Sequence, residues 1–235
     1  MIRIVYDQYD KFESSYAHIY YRKPFSYYKL KFDYRFTGQQ VDGGETWNVR
    51  NSGIMLHSQS PESNEFGQFF PVSIEIQLLG GLNSGQRSTG NVCTPGTVIF
   101  TDGKLNYKHC ISSNSRTYNG DQWVSCEVIV LGGEKIIHIV ENDTVLSYSS
   151  PQIGGGFTNP KLGKNDWLSR GIENIEYWQA KEGEILTEGY IAIQAESHPI
   201  DFKNIRILNL CGCKDPKAKN FKKYYLKAEN SVCKY

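Results

Sequence analysis

The sequence predicts an all-β chain folded as a two-layer sandwich, and three observations predict it. Short segments that alternate apolar and polar residues, or are rich in β-branched ones, recur along the chain. Turn sequences built on Gly, Asn, Asp and Pro separate them. No segment carries an apolar repeat at helical spacing beyond one or two turns.

In chain order, strands are expected at SYYKLKFDYRF (26–36), NSGIMLHSQ (51–59), PVSIEIQLL (71–79), GTVIF (96–100), QWVSCEVIVL (122–131), KIIHIVEN (135–142), TVLSYSS (144–150), GYIAIQAE (189–196) and FKNIRILNL (202–210). Each shows period-2 patterning or a β-branched run, and at least nine strands of this kind pack most readily as two sheets. Turn signals fall between them at VDGGE, LGGLNSG, TPGT, NGDQ, LGGE and IGGG. The polar END turn around Asn142, flanked by KIIHIV and TVLSY, reads as a hairpin.

With 235 residues, 39% of them hydrophobic, the chain can bury a substantial core. Lys and Arg number 26 against 25 acidic residues, and no long block of like charge occurs. Nothing in that balance asks for nucleic acid or an anionic membrane. No run approaches the roughly 20 apolar residues of a transmembrane helix, and MIRIVYDQYD lacks a signal-peptide apolar region. Aromatics at 13%, with 16 Tyr, suit twisted strands and also suit clefts in which ring faces stack on sugars.

The six cysteines contain no CxxC pair, so a zinc site has little support and disulfides in an oxidising compartment are favoured. Cys126 is in phase with Val124, Val128 and Val130, which reads as a buried, unpaired thiol.

Five strands present one greasy face and one face of functional polar groups. In FPVSIEIQLLGG (70–81), Val72, Ile74, Ile76 and Leu78 oppose Ser73, Glu75 and Gln77. His57 shares a face with Met55. Trp123 and Glu127 oppose the Val124 and Cys126 face, and His138 alternates with Ile137 and Ile139. Tyr190, Gln194 and Glu196 oppose Ile191 and Ile193, with His198 just beyond. The bland reading is a solvated sheet face. The residue types favour a cleft for hydroxyl-rich ligands, because amides and carboxylates donate and accept in pairs and an indole stacks.

Acid-base chemistry on a sugar needs a donor and an acceptor around one bond. Glu75 offers one carboxylate and Glu127 or Glu196 a second, but Ser73-x-Glu75-x-Gln77 is not the paired-acid strand of many sandwich glucanases. His57, His138, Glu75 and Glu127 are also groups that could ligate a divalent metal, although no HxH or HExxH spacing supports it.

Taken together, the blocks NSGIMLHSQ, FPVSIEIQLLGG, RSTGNVCTPGT, GDQWVSCEVIV and GYIAIQAESHPIDFKNIRI resemble the 3-keto-disaccharide hydrolase domain family over residues 25–210. The family's N-S-G-I block corresponds to Asn51, Ser52, Gly53 and Ile54, its E-x-Q block to Glu75 and Gln77, and its closing pattern to Ile191, Gln194 and Phe202, with Lys203 where Arg is usual. The resemblance implies a concanavalin A-like jelly roll of the lectin/glucanase type. It also implies action on glycosides oxidised at the 3-position, where the ketone acidifies the neighbouring C–H for elimination, with Glu75 and His57 as the catalytic pair. Gln77, Arg87, Trp123, Glu127, His138, Gln194, Glu196 and His198 would then position the sugar. His57 stands where many members carry another polar residue. A Cys93 to Cys110 disulfide is expected to pin the added RSTGNVCTPGT loop at the cleft mouth, with Arg87 either reaching the ligand or bracing that loop.

After Leu210 the chain becomes lysine-rich and loses alternation. It resembles a short Cys-bracketed module found at the C-termini of secreted bacterial proteins, which implies a Cys213 to Cys233 bond, with Asp215 and Asn220 capping turns or holding a cation. The expected organisation is a sandwich over 1–210 and a stapled tail over 211–235, in a secreted, periplasmic or cell-surface protein. The expected function is glycoside cleavage, and a non-catalytic, lectin-like sugar-binding module is the alternative.

Overall fold

All nine expected segments form strands, and five shorter ones complete two large sheets. The computed structural model describes residues 1–154 and 172–235. In order they hold β1 (Ile2–Ile4), β2 (Ala17–Tyr20), β3 (Tyr27–Phe36), β4 (Asn51–Ser58), β5 (Ile74–Leu79), β6 (Asn91–Cys93), β7 (Thr97–Thr101), β8 (Lys104–Asn106) and β9 (Cys110–Ile111). Then follow β10 (Val124–Leu131), β11 (Lys135–Val140), β12 (Asp143–Ile153), a short α-helix α1 (Ile175–Gln179), β13 (Tyr190–Ala195) and β14 (Ile200–Asn209). The turn expected at IGGG runs from Ile153 and Gly154 into residues outside the described set.

One sheet has eight strands in the order β1-β14-β3-β10-β11-β12-β7-β8, the other six in the order β2-β13-β4-β5-β6-β9. Every pairing within them is antiparallel, giving a two-sheet jelly-roll sandwich. The END hairpin joins β11 to β12 with Glu141 and Asn142 both left-handed, as a tight primed turn requires.

The period-2 pattern dictates the core. From the eight-stranded sheet come Tyr28, Leu30, Phe32, Tyr34, Phe36, Val124, Cys126, Val128, Val130 and Phe202; from the other, Ile54, Leu56, Ile74, Ile76, Leu78, Val92 and Ile191. Cys126 is free and buried among them, and burial pushes its thiol well above the usual range.

The chain after Leu210 forms a parallel pair, β15 (Cys211–Gly212) with β16 (Lys227–Ala228), and is closed by the Cys213–Cys233 disulfide. Asp215 Oδ1 accepts from Lys217 N at 2.9 Å, and Asn220 bridges Val232 O and Lys234 N, so both cap turns. Cys211 is a free thiol.

Candidate functional site

The outward face of the six-stranded sheet carries the polar row that alternates with its core residues. Register places Gly53 opposite Gln77, Met55 opposite Glu75, and Glu75 in turn opposite Cys93, with Asn91 opposite Gln77. On the other flank Ala192 faces Met55, which puts Gln194 on the same side two residues later. Surrounding chain partly roofs this face: Phe69 and Phe70 pack on Tyr16 at 4.9 Å each, and Met55, Phe70 and Ala192 form a small apolar cluster at one end.

Between roof and sheet lies a cavity of about 190 Å³ lined by Trp47, Asn51, Glu75, Gln77, Glu196 and the Cys93–Cys110 disulfide, with Phe70, Pro95 and the exposed His109 completing the lining. Glu75 is buried on its floor. Gln194 Nε2 donates to Glu75 Oε1 at 3.3 Å and to Glu196 Oε2 at 2.6 Å, so one amide spans two carboxyls. On its other side Gln194 Oε1 meets His18 Nε2 at 3.2 Å. Gln77 Oε1 accepts from Asn91 Nδ2 at 3.0 Å.

Burial raises the Glu75 carboxyl to about 8, against which the Gln194 hydrogen bond works only partly. Burial likewise lowers His18 to about 4, so its ring is neutral near pH 7. A buried carboxyl whose titration is moved toward neutral pH is suited to proton transfer.

The Asn51-Ser52-Gly53 triplet builds this floor, each residue differently. Asn51 ties its amide to Trp47 O at 3.3 Å and lines the cavity. Ser52 Oγ donates to Gln194 O at 2.9 Å, locking β13 beside β4. Gly53 leaves the space into which Glu75 folds, since a Cβ there would lie 2.6 Å from Glu75 Cγ.

The structure separates several residues that sequence phase had grouped with Glu75. His57 is left-handed, with φ 47°, and the β4–β13 register shifts beside it: Met55 faces Ala192, whereas Ser58 faces Tyr190. The extra residue is a bulge that turns His57 off the outward row. Its Nε2 meets Gly132 O at 3.1 Å, in the turn between β10 and β11 of the opposite sheet. Burial lowers it to about 4, so His57 is a buried tie between sheets rather than a partner of Glu75.

His138 lies wholly in the core, with Nδ1 at 2.8 Å from Gly90 O and Nε2 at 2.9 Å from Tyr148 Oη. Trp123 and Glu127 do face away from their own core neighbours, but on the eight-stranded sheet, across the sandwich from the cavity. The Trp123 ring is covered by Lys203 Nζ at 3.8 Å and the Arg35 guanidinium at 4.7 Å, and Glu127 pairs with Lys29 at 3.5 Å.

Arg87 donates from Nη1 to Gly80 O at 2.7 Å and Arg50 O at 3.3 Å, which braces the loop; its charge still reaches Glu196. His198 packs edge-on against Phe36, where burial and the Arg50 charge lower it to about 4.

Of the expected ligand set, then, His57, His138 and Glu127 each stand apart from Glu75, and among the described residues no group of three or more His, Cys, Asp or Glu is gathered to hold a metal ion.

Three residues of the site escaped the sequence reading. Trp47, 49% exposed in the turn before β4, offers a ring face at the cavity wall. His109 is carried to the cavity lining by the Cys93–Cys110 bond next to it. His18 sits on β2, whose AHIY sequence is too short to show a period.

A search of characterised proteins returns no match. Among solved structures, a protein of Parabacteroides distasonis assigned to the glycosyl hydrolases aligns over 83% of this chain and 84% of its own, with 16% identity and a TM-score of 0.49. The carbohydrate binding module CBM66 from Bacillus subtilis aligns over 82% and 81%, with 8% identity and a TM-score of 0.43. The galectin LEC-6 of Caenorhabditis elegans aligns over 81% and 91%, with 10% identity and a TM-score of 0.32. Residues 4–208 match the 3-keto-alpha-glucoside-1,2-lyase-like domain, and the chain therefore belongs to that carbohydrate-related family.

Proposed function

We propose that this protein cleaves a 3-keto glycoside by elimination in the cavity over β4, β5 and β13, with Glu75 as the base. The observation that carries this reading is Glu75 itself: a carboxyl on the cavity floor, raised to about 8 by burial and held by Gln194. The family match supports a 3-keto glycoside as the substrate class.

A ketone at C3 acidifies the C2–H bond. Glu75, as the carboxylate, takes that proton; the electron pair forms the C1–C2 double bond and the C1–O bond breaks. The departing glycosidic oxygen needs a proton, and Glu196, joined to Glu75 through Gln194, is the second carboxyl at the cavity wall. The reaction is neutral overall, one proton leaving carbon and one arriving at oxygen. Gln77, fixed by Asn91, and the exposed ring of Trp47 would orient the sugar by hydrogen bonding and stacking.

Two disulfides suit an oxidising compartment, which supports export of the protein. The Cys213–Cys233 segment would be a stapled appendage to the sandwich.

The test is turnover of a 3-keto glucoside by the protein and by Glu75→Gln, with products followed by mass spectrometry. Cleavage by the first and none by the second, with the variant still folded, is expected. Full activity in Glu75→Gln ends the proposal, and tight sugar binding without product would make the protein a binding module instead.

A further inference from the structure

His18 lies on an edge strand, half-buried, and forms no wall of the cavity, yet its ring ends on the amide that joins the two carboxyls. The amide can sit in only one sense if both carboxyl groups are to keep a donor. With Nε2 toward them, its two N–H bonds serve Glu75 at 3.3 Å and Glu196 at 2.6 Å. Turned over, it would aim a carbonyl oxygen at both, and each carboxyl would have to carry a proton to be satisfied. Gln194 is fully buried, so no water competes to compensate.

Nothing within the amide selects the productive sense; a neighbour must. With Nε2 of Gln194 occupied by the carboxyls, its Oε1 can only accept, so His18 carries its proton on Nε2. The Ser52 hydroxyl donates to the backbone carbonyl of Gln194 at 2.9 Å, and His18 is the group that meets the amide oxygen.

We propose that His18 is a positioning residue that holds the Gln194 amide in the sense that donates to Glu75 and Glu196, and so favours the ionised form of Glu75; this deepens the elimination reading and rests on it. The groups that bear on Glu75 from the surrounding elements are Glu196 after β13, His18 on β2 through Gln194, His109 before β9, and Arg87, whose charge acts on Glu196. Of these, Glu196 meets the amide at its Nε2 and His18 meets it at its Oε1.

Loss of the His18 donor frees Gln194 to turn, which removes a hydrogen bond to the charged form of Glu75 and moves its titration upward, on the order of one pH unit. The experiment is a carbon-13 titration of the Glu75 side-chain carboxyl in the whole protein, which needs no substrate, for wild type, His18→Phe and His18→Gln, and for Gln194→Met with and without His18→Phe. The upward shift is expected in His18→Phe, its reversal in His18→Gln, whose amide restores a donor, and no added effect of His18→Phe on the Gln194→Met background. If His18→Phe fails to fold, His18→Met takes its place. An unmoved Glu75 titration in the folded variant, or an equal shift on both backgrounds, overturns the proposal. Because the titration is read without turnover, failure of the elimination reading leaves a separate signature: the shift without any cleavage in wild type.

Discussion

Gly53 and Glu75 are diagonal neighbours on β4 and β5, and the Glu75 carboxyl occupies the space that any side chain at position 53 would claim. Gly53→Ala should therefore push the carboxyl off Gln194. The displaced group is the end of a flexible side chain, so the stability cost should stay within about 1–3 kcal/mol, while turnover falls about a hundredfold. Parallel melting curves and steady-state rates check both halves of that expectation.

Burial raises Glu75 from 4.5 to about 8. The folded protein then binds a proton that the unfolded chain releases between these values, so this group's contribution is full below about pH 4.5 and is lost as pH rises through 8. Stability should fall across that window, at a rate of up to about 1.4 kcal/mol per pH unit. In Glu75→Gln this component should vanish. Denaturant melts at several pH values, wild type against variant, provide the comparison; parallel slopes in both proteins would refute the raised carboxyl.

Trp47 is half exposed at the cavity wall and anchors Asn51 only through its backbone carbonyl. Trp47→Ala should leave the melting temperature nearly unchanged and raise KM roughly 3- to 10-fold, the worth of one stacked ring at about 0.5–1.5 kcal/mol. A change confined to kcat would argue against a stacking platform.

The bond between Cys93 and Cys110 closes a loop with a sequence separation of 17 and forms part of the cavity wall. Replacing both cysteines by Ser should cost about 3 kcal/mol by the chain-entropy model. It should also weaken sugar binding, because the strand that carries His109 to the cavity lining loses its tie. Unfolding and calorimetric titration on one preparation measure the two effects together.

His57→Ala should cost about 1–3 kcal/mol, since the Gly132 carbonyl loses a buried partner, and should leave kcat unchanged. A large loss of kcat with an intact melt would return His57 to the chemistry.

Period-2 patterning made the sandwich, its core and the Ser73, Glu75, Gln77 row legible, because alternation reports directly which residues share a face. The sheet to which a strand belongs is set by pairing across the whole chain, so Trp123 and Glu127 read as polar-face residues and yet lie on the far side of the molecule from Glu75. His57 was misphased for a local reason, a left-handed residue within a bulge, which shifts the alternation by one step without leaving a glycine to mark it. His138 packs inward because its two ring nitrogens are both satisfied there, a condition invisible to hydropathy. Trp47, His109 and His18 sit on turns or strands of at most four residues, too short for any period to show.

Among the described residues, the outermost strands of the two large sheets are β1 and β8 on one, β2 and β9 on the other, and none exceeds four residues. A strand from another copy arriving at any of these rims would find only a few free amides and carbonyls, and at β9 a covalent link locks the rim to its inner neighbour. Edges this short offer little template for another copy to add a strand at these rims.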